Sequence, residues 1–233
     1  MLQSLCVAVL CMILASVASA KEAVILLHGL ARTDKSMTKI ATVLEAEGFI
    51  VLNVDYPSRE ATVEDLAAKV ITAALANPKL MDAERIHFVT HSMGGILVRQ
   101  FLKSRHPANL GRVVMLGPPN QGSEVVDKIG DWRAFNALNG PAGQQLGTGP
   151  DSVPNKLGPV DFELGVIAGD WSINWINSLM IPGPDDGKVS VERTKVAGMK
   201  AHRIVHVTHP YLMKDDQVIR QTVHFLRHGQ FMP

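Results

Sequence analysis

Ser92 stands in Thr90-His91-Ser92-Met93-Gly94-Gly95, between an apolar run that ends at Val89 and a helical pattern that begins near Met93. A serine on a tight strand-to-helix turn projects over the edge of a sheet, where a base can reach its hydroxyl. The amino end of the helix behind it offers free N–H groups to a developing oxyanion. Neighbouring glycines let such a turn close without a Cβ clash. That combination is what nucleophilic attack on a carbonyl requires. The usual pattern sets a glycine two residues before the serine, and here Thr90 stands there. Taken without its surroundings, Ser92 could also be an ordinary helix N-cap.

Other constellations carry less chemistry. His202, His206 and His209 have a spacing that suggests zinc, but no carboxylate or cysteine joins them to complete a structural or catalytic set. No metal ligand is assigned. Gly147-Thr148-Gly149 lacks the preceding strand and following helix that a nucleotide loop needs. Trp171 and Trp175, with Ile173, Ile176, Leu179 and Met180 nearby, could form an acyl-binding wall or simply pack.

Elements that could position Ser92 alternate along the chain. Ala23–Leu27, Ile50–Val54, Ile86–Val89, Val113–Leu116, Leu164–Ala168 and Ile204–Val207 are short apolar runs of the kind buried on both faces of a sheet. Helical spacing lies between most of them. Met37, Ile40, Ala41 and Leu44 form one stripe, and Val63, Leu66, Ala67, Val70, Ile71, Ala74 and Leu75 a cleaner one, with Thr62 and Asp65 ahead of it as a capping box. Further helices are expected from Met93 to about Ser104 and from Asp216 to Leu226. Such alternation implies an α/β fold, a mostly parallel sheet with helices on both faces, whose ligands sit beyond the carboxyl ends of the strands. The rhythm breaks over 120–160. Ile129, Trp132, Phe135 and Leu138 step by three there, ahead of a Gly- and Pro-rich stretch from Gly140 to Pro159. This segment is a candidate cap, or a surface helix packed on the sheet.

Composition bounds the function. The chain has 233 residues, 46% hydrophobic and 19% charged, enough for one well-filled domain and not the balance of a disordered chain. Lys+Arg 23 against Asp+Glu 22 leaves nothing with which to neutralise nucleic-acid phosphates. Met1 to Ala20 contains no Lys, Arg, Asp or Glu and closes on Ala18-Ser19-Ala20, the small-x-small pattern of signal-peptide cleavage. A leader at 1–20, cleaved after Ala20, and a domain at 21–233 are expected, secreted or periplasmic. Both cysteines, Cys6 and Cys11, fall in that leader, so the mature chain would hold neither a disulfide nor a thiol nucleophile.

His28-Gly29-Leu30-Ala31-Arg32-Thr33-Asp34-Lys35, directly after the first strand, and His91-Ser92-Met93-Gly94-Gly95 together resemble the α/β-hydrolase superfamily, and within it the secreted bacterial lipases and esterases. The resemblance implies a compact α/β-hydrolase fold, with the backbone N–H groups of Leu30 and Met93 as the oxyanion hole. It implies the chain order serine, acid, histidine, and a histidine just past the last strand, which is His209. The lipases it resembles carry their acid in an Asp-Gly-x-Val segment, matching Asp186; strand-end position alone would favour Asp170. Asp185 reads as a solvated loop acid, His206 as a core histidine, and His28 as a histidine hydrogen-bonded beneath its loop. The implied activity is cleavage of small-molecule or lipid carboxylic esters through an acyl-enzyme on Ser92, without a cofactor and with transient contact at a lipid interface. Some lipases of this kind hold a structural calcium ion, for which no ligands are identified here. The same machinery would serve an amidase, thioesterase or acyltransferase, and the fold alone a non-catalytic binding protein.

Overall fold

Strand β1 (Glu22–Leu27) shows what organises the chain. Its apolar residues are fully buried and divide by parity: Ala23, Ile25 and Leu27 join one hydrophobic cluster, Val24 and Leu26 the other. Alternating side chains of one strand therefore feed two cores, which is possible only when layers cover both faces of the sheet. Each such Ile or Leu contributes about 1.5–3 kcal/mol by leaving water.

The computed structural model describes residues 21–129 and 133–233; the expected leader at 1–20 lies outside the described residues. With β2 (Ile50–Val54), β3 (Arg85–His91), β4 (Leu110–Leu116), β5 (Leu164–Gly169) and β6 (Ala201–Val205), β1 forms one parallel sheet in the order β2-β1-β3-β4-β5-β6. The helix Met93–Leu102 and the segment Val63–Leu75 cover the first core; Thr38–Ala46 and Asp216–His228 cover the second. No helix among the described residues is long and apolar enough to cross a membrane.

The helices follow their sequence signals. Thr62 caps the second of them, its hydroxyl accepting the N–H of Asp65 at 3.2 Å. That helix carries a π-helical segment, Ala67–Ile71. The last helix starts one residue past its Asp215 cap and ends at Gly229, whose φ of 69° is left-handed.

One strand departs from expectation. The last runs over Ala201–Val205 rather than Ile204–Val207. It is an edge strand, so only one side of its ladder is paired, and Ile204 is 49% exposed. An apolar run does not locate an element whose partner, β5, asks only for backbone hydrogen bonds.

From β1 the chain crosses to β2 on one side and then returns to β3 on the other. A crevice opens where that order reverses, at the carboxyl ends of β1 and β3. The His28–Arg32 loop and Ser92 both sit there.

Candidate active site

β3 ends at His91 and the helix Met93–Leu102 begins at the next residue but one, leaving Ser92 alone to make the turn. Its φ of 53° and ψ of −123° lie where a side chain is strained. Its N–H donates to the Leu116 carbonyl at 2.8 Å, which holds the turn against β4. The helix can start this close to β1 only because Gly94 has no side chain: a Cβ there would lie 2.6 Å from the Leu27 carbonyl oxygen. Thr90, where a glycine is usual, is fully buried and faces Gly95, whose Cβ would meet its Oγ1 at 3.2 Å. The missing side chain at position 95 makes room for the extra one at position 90.

His209 follows β6 and opens a 3-10 turn, His209–Lys214. Its Nε2 lies 3.0 Å from Ser92 Oγ and its Nδ1 2.7 Å from Asp186 Oδ2. The carboxylate accepts the Nδ1 proton, which leaves Nε2 free to accept from the serine hydroxyl. Asp186 is buried, and its other oxygen accepts the N–H groups of Lys188 at 3.0 Å and Val189 at 2.9 Å. A backbone bond from His209 N–H to the Asp186 carbonyl, 2.9 Å, ties the two loops together. Gly117, directly after β4, leaves space for the pair: a Cβ there would lie 3.0 Å from Asp186 Oδ2 and 3.1 Å from His209 Nδ1. Sequence reasoning passed over this glycine, although a glycine closing the run Val113–Leu116 was the available signal.

His91 completes the arrangement from below. Its Nε2–H donates to the His209 carbonyl at 3.0 Å, and the two rings stand 4.7 Å apart. Burial, and secondarily the His209 charge, hold its pKa well below the usual imidazole value, so His91 is a neutral donor.

Leu30 lies in a turn in which Arg32 N–H donates to the Gly29 carbonyl at 3.3 Å. Ala31 is held there at a φ of 54°, its N–H donating to Ser58 Oγ at 3.0 Å. Met93 is the first helical residue after Ser92, so its N–H has no carbonyl within its own helix to bond. His28 is fully buried beneath the loop, its Nδ1–H donating to the Gly29 carbonyl at 2.8 Å and its Nε2 accepting from Tyr56 N–H at 3.3 Å. Burial lowers its pKa as well.

The alternative acid falls away, and two expectations, for His206 and Asp185, are corrected. Asp170 follows β5 directly, but its Oδ1 pairs with His206 Nδ1 at 2.9 Å and not with His209. His206 is not a core residue: β6 stops before it, and its exposed ring stacks on Trp171 at 5.3 Å. Asp185 is buried rather than solvated, its Oδ1 accepting Gly187 N–H at 2.7 Å and the Ser178 hydroxyl at 2.9 Å. His202 contacts Thr194 Oγ1 at 2.8 Å, so the three late histidines have separate partners.

Ser92 and His209 border a pocket of about 260 Å³ with apolar walls from Leu30, Val125, Val126, Leu146 and Val189. Part of the 120–160 segment therefore lines the site. It is anchored by the buried Arg99 of the helix behind Ser92, which donates to the carbonyls of Asn120 at 2.8 Å, Pro154 at 3.2 Å and Gly158 at 2.7 Å. Burial pulls the Arg99 pKa down to about 10, still charged at neutral pH. The stripe expected around Trp132 falls outside the described residues: Trp132 itself and the side chains of Ile129, Phe135 and Leu138. Trp171 and Trp175 neither line the pocket nor pack inside; they are 48% and 70% exposed.

A family model described as the alpha/beta hydrolase family matches residues 24–222. Among solved structures, the mature lipase BlEst2 of Bacillus licheniformis is 18% identical, with 91% of this chain and 94% of that one covered at a TM-score of 0.66. A lipase-esterase related protein of Clostridium acetobutylicum is 15% identical, covering 89% and 95% at 0.60. The phospholipase PlaB of Legionella pneumophila is 23% identical, but 75% of this chain spans only 45% of that one, at 0.61. At these identities the likeness is one of fold. No curated protein matches the sequence.

Proposed function

Since the chain belongs to the alpha/beta hydrolase family, we propose that it is a serine hydrolase of carboxylic esters. The observation that carries this reading is the unbroken run of contacts from Ser92 Oγ through His209 to Asp186, 3.0 Å and 2.7 Å, beside an apolar pocket. Ser92 Oγ attacks the ester carbonyl as its proton passes to His209 Nε2. Asp186 fixes the tautomer and stabilises the imidazolium. The amides of Leu30 and Met93 receive the oxyanion, and loss of one such donor costs about a hundredfold or more in rate. The proton on Nε2 then goes to the departing alcohol, leaving the acyl group on Ser92. Water, deprotonated by the same nitrogen, releases the acid and restores the serine.

The pocket suits an acyl chain or another small apolar group, so small-molecule and lipid esters are the substrates in this reading. The exposed apolar residues Trp171, Ile173, Trp175, Ile176 and Leu179 supply a surface for transient contact with a lipid interface. The 120–160 segment acts as the cap, and export with cleavage after Ala20 places the enzyme outside the cytoplasm. The test is Ser92→Ala, which should abolish turnover of p-nitrophenyl esters with the circular dichroism spectrum unchanged. Retained turnover would end the reading.

A further inference from the structure

The loop before the catalytic machinery and the loop that holds its acid each bring one cation to the same pocket. Arg32 comes from the first, fixed by its N–H on the Gly29 carbonyl and by the Ala31–Ser58 bond. Lys188 comes from the second, its N–H on Asp186 Oδ1 at 3.0 Å and its carbonyl accepting the Ser123 hydroxyl at 2.7 Å. Both side chains line the pocket that holds Ser92 and His209.

Neither cation has an ion-pair partner among the described residues, and four acids of the surrounding loops have other partners. Asp186 is taken up by His209, Lys188 N–H and Val189 N–H. Asp55 lies 3.4 Å from His28 Nε2 and accepts Asp34 N–H. Glu124 is paired with Arg193, and Asp127 accepts from Thr148. Partial desolvation, and then the Arg32 charge, lower the pKa of the Lys188 ammonium, and the Arg32 charge reaches His91 as well. Asp186, already bound to His209, is the one carboxylate charge felt at Lys188 and offsets the two cations only in part, and like charges gathered at one pocket favour the entry of an anion. A guanidinium fork and an ammonium are the groups that receive carboxylate and phosphate oxygens best.

We propose that Arg32 and Lys188 form an anion-binding subsite beside Ser92, so that the preferred ester carries a carboxylate or a phosphate near its scissile carbonyl. The inference rests on the hydrolase reading above and adds to it a substrate class. A carboxylate would come from the acyl half, as in a dicarboxylic acid half-ester; a phosphate would come from the alcohol half, as in an acylglycerol phosphate.

The test compares matched pairs: p-nitrophenyl pentanoate with mono-p-nitrophenyl glutarate, and monobutyrylglycerol with monobutyrylglycerol phosphate. For the wild-type protein at low ionic strength, kcat/KM should favour the anionic member of at least one pair by about tenfold or more, the pair identifying which half bears the charge. Added salt should shrink that ratio. In the double variant Arg32→Gln/Lys188→Gln the ratio should fall to about one, and each single variant should lie between. Hydrolysis of both members of each pair with a ratio near one, or a preference that survives the double variant, overturns the proposal while leaving the hydrolase standing. Failure to hydrolyse any of the four esters, with no fluorophosphonate adduct on Ser92, overturns the hydrolase reading and the subsite with it.

Discussion

Nε2 of His209 stands 3.0 Å from Oγ of Ser92, across 117 residues of chain. The distance is set by three strand ends: β3 delivers the serine, β6 the histidine, and Gly117 after β4 leaves room between them for Asp186. The proposed chemistry follows from that convergence, and so do the expectations below.

Asp170 and Asp186 both lie past the end of β5, and of the two Asp186 is the one that touches His209. Asp186→Asn should lower kcat by about four orders of magnitude, because the amide favours the wrong histidine tautomer. Asp170→Asn should change kcat less than about threefold, since it loses only a surface contact with His206. Measuring both against one p-nitrophenyl ester settles the acid; a larger loss at position 170 would contradict the assignment.

Ser58 is buried and holds Ala31 N–H at 3.0 Å in a left-handed turn next to Leu30. Ser58→Ala leaves that N–H unpaired and lets the strained turn relax. We expect kcat to fall about tenfold or more with little change in KM, the mark of a donor used in the transition state. A rise in KM alone would mean that the turn shapes the pocket and not the oxyanion site.

Stability should fall in mild acid. His87 is fully buried and its pKa is lowered to about 4 by burial, with Glu22 opposing; His28 and His91 shift the same way, also by burial. A histidine whose folded pKa lies below its unfolded value of 6.5 contributes stability above pH 6.5, and that contribution is lost as pH falls towards 4. For His87 alone this is on the order of 3 kcal/mol. Urea midpoints between pH 7.5 and 4.5 should decline, and His87→Gln should flatten the decline. A midpoint independent of pH would contradict it.

Much of this was legible in the residues. Ala23–Leu27 reads as a strand covered on both faces, and Gly94 and Gly95 point to a tight turn at Ser92. His209 required only that it follow the last strand. The end of that strand was less legible, because Ile204 looks like core while lying half-exposed on an edge strand that stops at Val205, short of His206 and Val207. Asp185 looked solvated because its burial comes from Ser178 and Gly187, contacts made by folding and not by pattern. Arg99 gave no chemical signal, since it anchors the pocket wall through carbonyls, and Gly117 gave only its place at the end of an apolar run, since it acts by lacking a side chain.

The most direct test of the central claim is to treat the purified protein with a fluorophosphonate and locate the adduct by mass spectrometry of its peptides. The account predicts one stoichiometric phosphonyl group on Ser92, abolished by Ser92→Ala and slowed severely by His209→Ala. A protein that folds, as judged by circular dichroism, yet takes up no label at Ser92 would contradict it.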